Sequence, residues 1–139
     1  MPTVDANVWV AAFDTKDRFH ADSVAFLRKL AGEETTTCAP AIVILEVACA
    51  LARRYADPSM GRKAAVKMKA NTLLHLEPLD DLLLSESLRL GARSRLRAAD
   101  SLYAATAALK TDGVLVSWDN DLIERAGAVT PTVWLASQG

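Results

Sequence analysis

The sequence predicts a three-layer α/β/α sandwich around a central parallel sheet of four or five strands. Short apolar runs alternate with longer stretches of helical period along the chain. Such runs carry no polar face, so both faces of the sheet they form must be covered. A helical stretch separates most runs from the next, which is the pattern of right-handed crossover connections. With 139 residues the chain suits one core.

The elements follow in order. "PTVDANVWVAAF" opens with a buried strand over 2–5, and Asp5 or Asn7 caps the helical turn after it. "DRFHADSVAFLRKLAG" spaces Phe19, Ser23, Phe26, Leu27 and Leu30 for a helix stopped by Gly32. "TTTCAP" is rich in threonine and ended by Pro40, which reads as the second strand. "PAIVILEVACALARRYADP" is a helix over 41–55 with Pro58 marking its end. It is apolar on nearly every side and is expected to be deeply buried. "SMGRKAAVKMKANT" is a more polar helix, and "LLHLEPL" carries a third strand near 73–76. "LDDLLLSESLRLGAR" is a helix ending at Gly91, and "ARSRLR" is a short basic loop. "AADSLYAATAALKTDG" is a buried helix closed by Gly113. "VLVSWDND" is the fourth strand, "DLIERAG" a short helix, and "TVWLA" the fifth strand.

Charge excludes some function classes. The 16 basic and 17 acidic residues leave a net charge of −1, so there is no bulk attraction to nucleic acid or membrane. Any nucleic-acid contact must come from local basic clusters. Arg93, Arg95 and Arg97 in "ARSRLR" are the first candidates, with Arg53 and Arg54 beside them. Lys63, Lys67 and Lys69 read as a solvated face. No window approaches the ~20 apolar residues of a membrane span, and Asp5 interrupts any secretory signal. Cys38 and Cys49 lack metal-ligand spacing and read as buried, reduced thiols of a cytoplasmic protein. Trp9 and Trp134 read as packing residues, Trp118 is open, and His20 and His75 have no partner motif.

The acids are the informative residues. In an open parallel sheet, sites form beyond the carboxyl ends of the strands. Asp5 ends the first strand and Asp119 the fourth, with Asp121 two residues on. Glu46 lies within two turns of the start of the helix after the second strand, and Asp100 opens the helix before the fourth. All four can reach one end of the sheet. Each alone has an ordinary reading: Asp5 and Asp100 as helix caps, Asp119 as a turn residue, Glu46 paired with Arg53 or Arg54. Together they would repel one another in a buried pocket, where an unpaired carboxylate is strongly disfavoured. A divalent cation resolves that conflict. Oxygen-only ligands favour Mg²⁺ or Mn²⁺ over zinc.

The stretches "VDANVWV", "PAIVILEVACAL", "RAADSLYAATA" and "VLVSWDNDLIERAG" together resemble the PIN-domain ribonucleases. Within that family they are most similar to VapC-type toxins of bacterial toxin–antitoxin pairs, over nearly the whole chain. The resemblance implies one PIN-like domain over 1–139 that cuts RNA with Mg²⁺ or Mn²⁺ and so inhibits translation and growth. It implies a catalytic quartet of Asp5, Glu46, Asp100 and Asp119, with Asp5, Asp100 and Asp119 on the metal. Asn7, Ser117 and Asp121 take supporting positions, while Ala41 stands near where many relatives carry Ser or Thr. The resemblance also implies a cognate antitoxin and a homodimer, with "NVWVAAF" as interface material and "MGRKAAVKMKA" lining a groove. A receiver-like domain would need an adjacent acidic pair and a late lysine. An Asp-x-Asp phosphatase would need an acid at Asn7. A non-catalytic RNA- or protein-binding module on this fold, and a housekeeping RNA-processing nuclease, stay open.

Overall fold

Every residue of the two inner strands is buried, as expected of a parallel sheet covered on both faces. The computed structural model describes residues 1–110 and 112–139. The elements run β1 (Thr3–Val4), α1 (Ala6–Phe13), α2 (His20–Gly32), β2 (Thr37–Pro40), α3 (Ile42–Tyr55) and α4 (Pro58–Ala70). They continue with β3 (Leu74–Glu77), α5 (Asp81–Ser94), α6 (Ala98–Lys110), β4 (Leu115–Val116), α7 (Asn120–Ala126) and α8 (Pro131–Ser137). The sheet order is β3-β2-β1-β4, and every pairing is parallel.

That order positions the site. From β1 the chain steps to β2 and β3 on one side, then returns past β1 to β4. Right-handed crossovers then put α1–α4 on one face and α5–α6 on the other. Helix α6 packs on β1, β2 and β4. The winding direction reverses between β1 and β4, and a crevice opens beyond their carboxyl ends. Local sequence starts the helices. Asp5, Asp57, Asp80 and Asp119 each cap a helix by accepting a backbone N–H, and Pro58 and Pro131 sit in the first turns of α4 and α8. The imidazole Nδ1 of His20 lies 2.8 Å from the Ala11 carbonyl and ties α2 to α1, while His75 is exposed on β3.

Four expectations are corrected. Helix α3 is not buried all round: Val43, Val47 and Leu51 form one buried stripe, while Leu45 is 62% exposed. Its other apolar flank forms a wall of an open cavity rather than meeting the sheet. Cys49 lies on that flank and is exposed, whereas Cys38 in β2 is buried. Helix α5 runs through Gly91 to Ser94, and Arg95 ends it at φ 53°. Gly91 is a packing glycine: a Cβ there would collide with the Ser101 side chain of α6. The segment "TVWLA" is helical in α8, because the Thr130 side chain caps it and Pro131 leads it. Sheet pairing beyond β4 is a single bridge, Val116 to Val129. The sheet therefore has four strands among the described residues. The predicted end of the helix before Gly113 crosses Thr111, which lies outside the described residues.

The main core joins Val4, Val8, Phe26, Val47, Tyr103 and Val116, all at 0% exposure. Trp134 packs edge-on against Phe26 with ring centroids 5.1 Å apart, holding α8 to α2. Among the described residues, no helix is long and apolar enough to cross a membrane. Helices α3 and α4 meet at Gly61, where a Cβ would run into the Ala48 carbonyl. Gly61→Ala should therefore destabilise the protein by about 2 kcal/mol, read as a lower urea midpoint with an unchanged slope.

Candidate functional site

Parallel pairing of β1 with β4 places Val4 opposite Val116. The next residue on each chain is Asp5 and Ser117. Both are buried, and the Ser117 hydroxyl donates to Asp5 Oδ2 at 2.6 Å. Ser117 Oγ itself accepts from Asn7 Nδ2 at 3.1 Å and from the Asp119 backbone N–H at 2.9 Å. One donor and two acceptor positions are thus all used, which is the full capacity of a serine hydroxyl. Asn7 also accepts from the Trp118 N–H at 3.2 Å. Ser117 and Asn7 together lock the strand ends that carry Asp5 and Asp119.

The other two acids come from helices. Glu46 projects from α3, and its Oε1 accepts from the buried Tyr103 hydroxyl of α6 at 2.7 Å. Asp100 sits in the first turn of α6. Asp5, Glu46, Asp100 and Asp119 all line one open cavity of about 600 Å³, with Asn7, Arg53, Arg54 and Arg97. The four sequence-predicted acids are thus brought together. Asp121 lies outside that lining, on α7, and reaches Arg97 only at 4.0 Å.

Electrostatics distinguish the acids. Burial pushes the Asp5 carboxyl up to about 7, against the lowering effect of Ser117 and the Ala6 N–H, with the charges of Glu46 and Asp100 raising it further. Burial also raises Glu46, opposed by Tyr103 and reinforced by Asp100. Burial and the Asp119 charge raise Asp100, opposed by Arg97. Asp5 is held only by neutral donors. The donor chemistry suits a hard divalent cation, being oxygen only and carrying excess negative charge. Among the described residues, no three His, Cys, Asp or Glu side chains are grouped closely enough to hold a metal ion as they stand.

The arginines and Trp118 differ in what they contact. Arg54 does not pair with Glu46. It bridges Asp14 and Asp17 at 2.9 and 2.8 Å. Arg93 lies in the last turn of α5 and Arg95 caps it, and neither lines the cavity. Only Arg97 of the "ARSRLR" set reaches the acids, and it does so by ion pairs. Trp118 is engaged in packing: it stacks on Phe19 at 4.0 Å and its indole N–H donates to Ser23 at 2.8 Å. Sequence reasoning did not identify Tyr103 as the partner of Glu46. The i, i+3 spacing of Asp100 and Tyr103 puts both on one face of α6 and was the available signal.

A parallel α/β fold with a carboxylate cluster at its switch point defines the class of protein. The chain belongs to the PIN domain family, whose profile matches residues 3–128. No curated protein matches the sequence. Similar solved structures include VapC20 of Mycobacterium tuberculosis, described as a sarcin-ricin loop cleaving toxin. It has a TM-score of 0.74 at 18% identity, covering 89% of this chain and 94% of that one. A toxin-antitoxin complex from Klebsiella pneumoniae gives 0.66 at 20% identity, covering 94% and 98%. PAE2754 from Pyrobaculum aerophilum gives 0.67 at 21% identity, covering 98% and 93%.

The buried Asp5 makes stability depend on pH. The folded protein keeps that proton up to about pH 7, while an unfolded aspartate releases it near 3.8. The folded state therefore binds more protons in this window, so stability falls as pH rises through it and levels off above. With chelator present, the stability advantage of Asp5→Asn over wild type should grow by about 2 kcal/mol between pH 5 and pH 8. Denaturant unfolding at the two pH values measures it, and a pH-independent difference would contradict the assigned burial effect.

Proposed function

We propose that the protein is a Mg²⁺- or Mn²⁺-dependent endoribonuclease and the VapC-type toxin of a toxin–antitoxin pair. The observation that carries this reading is the convergence of Asp5, Glu46, Asp100 and Asp119 on one cavity from four different elements. Asp5, Asp100 and Asp119 are the residues that would hold the metal. When bound, the cation supplies Lewis-acid polarisation of the phosphate and a more acidic water.

The chain's own groups have separable tasks. Tyr103 occupies Glu46 Oε1, which leaves Oε2 to take a proton from the water attacking phosphorus. The raised pKa of Glu46 moves it toward the range where a general base works best. In-line attack leaves a 5′-phosphate and a 3′-hydroxyl. Ser117 and Asn7 keep Asp5 and the Asp119 backbone in place and need not touch RNA. Asp121 supports Asp119 by donating its backbone N–H to Asp119 Oδ1 at 2.8 Å. Arg93, Arg95 and Arg97 are assigned to RNA phosphates, with Arg97 nearest the reacting centre.

The fold shared with VapC20 and with the toxin-antitoxin complex supports the toxin reading, and a toxin of this kind would act in the cytoplasm and restrain translation and growth. A cognate antitoxin would neutralise the site by occupying the cavity. The segment "NVWVAAF" does not offer the expected interface, because Val8, Trp9, Val10 and Ala11 are buried in the core; a homodimer contact would fall instead to the exposed Leu79, Leu82, Leu84 and Leu88 in and before α5.

Asp5→Asn and Asp100→Asn should each lower Mg²⁺-dependent RNA cleavage by roughly 10²-fold or more. Circular dichroism should stay at the wild-type spectrum. Full cleavage by either folded variant would overturn the assignment and favour a non-catalytic module on this fold.

A further inference from the structure

Arg97 stands just before α6 with its side chain 74% exposed, yet it is hydrogen-bonded to two acids at once, with Asp121 a third at 4.0 Å. Its Nε donates to Asp100 Oδ2 at 3.3 Å and its Nη2 to Asp119 Oδ2 at 3.2 Å. These carboxylates belong to different elements, α6 and the junction of β4 with α7. Arg97 therefore cross-links them in the manner that a divalent cation would. The other two arginines of the cavity do not compete for this place. Arg54 is committed to Asp14 and Asp17. Arg53 has no carboxylate at ion-pair distance among the described residues.

A guanidinium and a metal ion cannot both take the same carboxylate oxygens. The Arg97 stem is long and solvated, so it leaves without opening a void in the core. We propose that Arg97 is the built-in counter-cation of the acid pocket and competes with the divalent metal for Asp100 and Asp119. It is a positioning residue that keeps the two carboxylates together while the metal is absent. It also sets the metal concentration at which the site becomes loaded. This inference rests on the metal-site reading above.

Calorimetric titration with Mn²⁺ separates competition from simple charge removal. Arg97→Ala should bind Mn²⁺ roughly fivefold more tightly than wild type. Arg53→Ala removes the same charge from the same cavity and should stay within about twofold of wild type. Thermal melting gives the second readout. In chelator Arg97→Ala should melt below wild type, and saturating Mn²⁺ should close the gap. Equal tightening in both variants would reduce Arg97 to background charge and overturn the proposal. A melting deficit that persists unchanged in Mn²⁺ would also overturn it. If wild type binds Mn²⁺ and Arg97→Ala is indistinguishable from it, this proposal fails alone. If wild type binds no Mn²⁺, the metal site and this proposal fail together.

Discussion

The pairing of β1 with β4 is the constraint on which the site depends. Each strand is two residues long, and their register is held by Thr3 N–H to the Val114 carbonyl at 2.9 Å and Asp5 N–H to the Val116 carbonyl at 3.0 Å. Val4 and Val116 are fully buried, so these backbone groups have no water to fall back on. In a parallel pair both chains leave the sheet in the same direction, and their exit residues are neighbours. Asp5 and Ser117 meet for that reason. A slip of one residue would turn Asp5 toward the opposite face and break the contact.

Two buried aspartates in this chain show that partners, not burial alone, decide whether a carboxyl is pushed up or held down. Asp14 is 5% exposed and Asp5 is 6% exposed. Burial opposes ionisation of Asp14, yet Arg54, the Tyr55 hydroxyl and the Lys16 N–H hold its carboxyl below the usual range. Its negative charge is spent in tying the loop after α1 to the end of α3. Asp5 receives only the Ser117 hydroxyl and the Ala6 N–H, and faces Glu46 and Asp100. Its charge is left unbalanced in a cavity, the arrangement expected where chemistry rather than stability governs the partner set.

The sequence made the layer order and the four acids legible because both rest on local signals. Apolar runs mark strands, and Asp at a strand end is visible without a fold. What it concealed depends on tertiary neighbours. A helix as apolar as the first three turns of α3 gives no sign that Leu45 and Cys49 flank an open cavity. The Thr130–Pro131 cap competed with the β propensity of "TVWLA" and won, because a capped helix satisfies its own backbone while a further strand needs a full edge partner. Glu46 offered two arginines on its own helix as partners. The actual donor, Tyr103, lies 57 residues away and is buried against it. Ion-pair choice between exposed arginines is a small energy difference, so Arg54 turning to Asp14 was not readable from spacing.

The acid pocket poses an admission problem on the proposed reading. RNA is a dense polyanion, the chain has a net charge of −1, and the cavity presents four carboxylates against few available cations. Long-range attraction therefore cannot bring the substrate in. A divalent cation held by Asp5, Asp100 and Asp119 would cancel most of that negative charge and put a positive centre just where the phosphate must sit, because a bound ion is the largest charge in such a site. Release of Arg97 from Asp100 and Asp119 would add a second positive group beside it. Charge that repels RNA from the empty pocket thus becomes the means of drawing it into the loaded one. The acids that burden the fold when unpaired are the same groups that make substrate entry depend on metal.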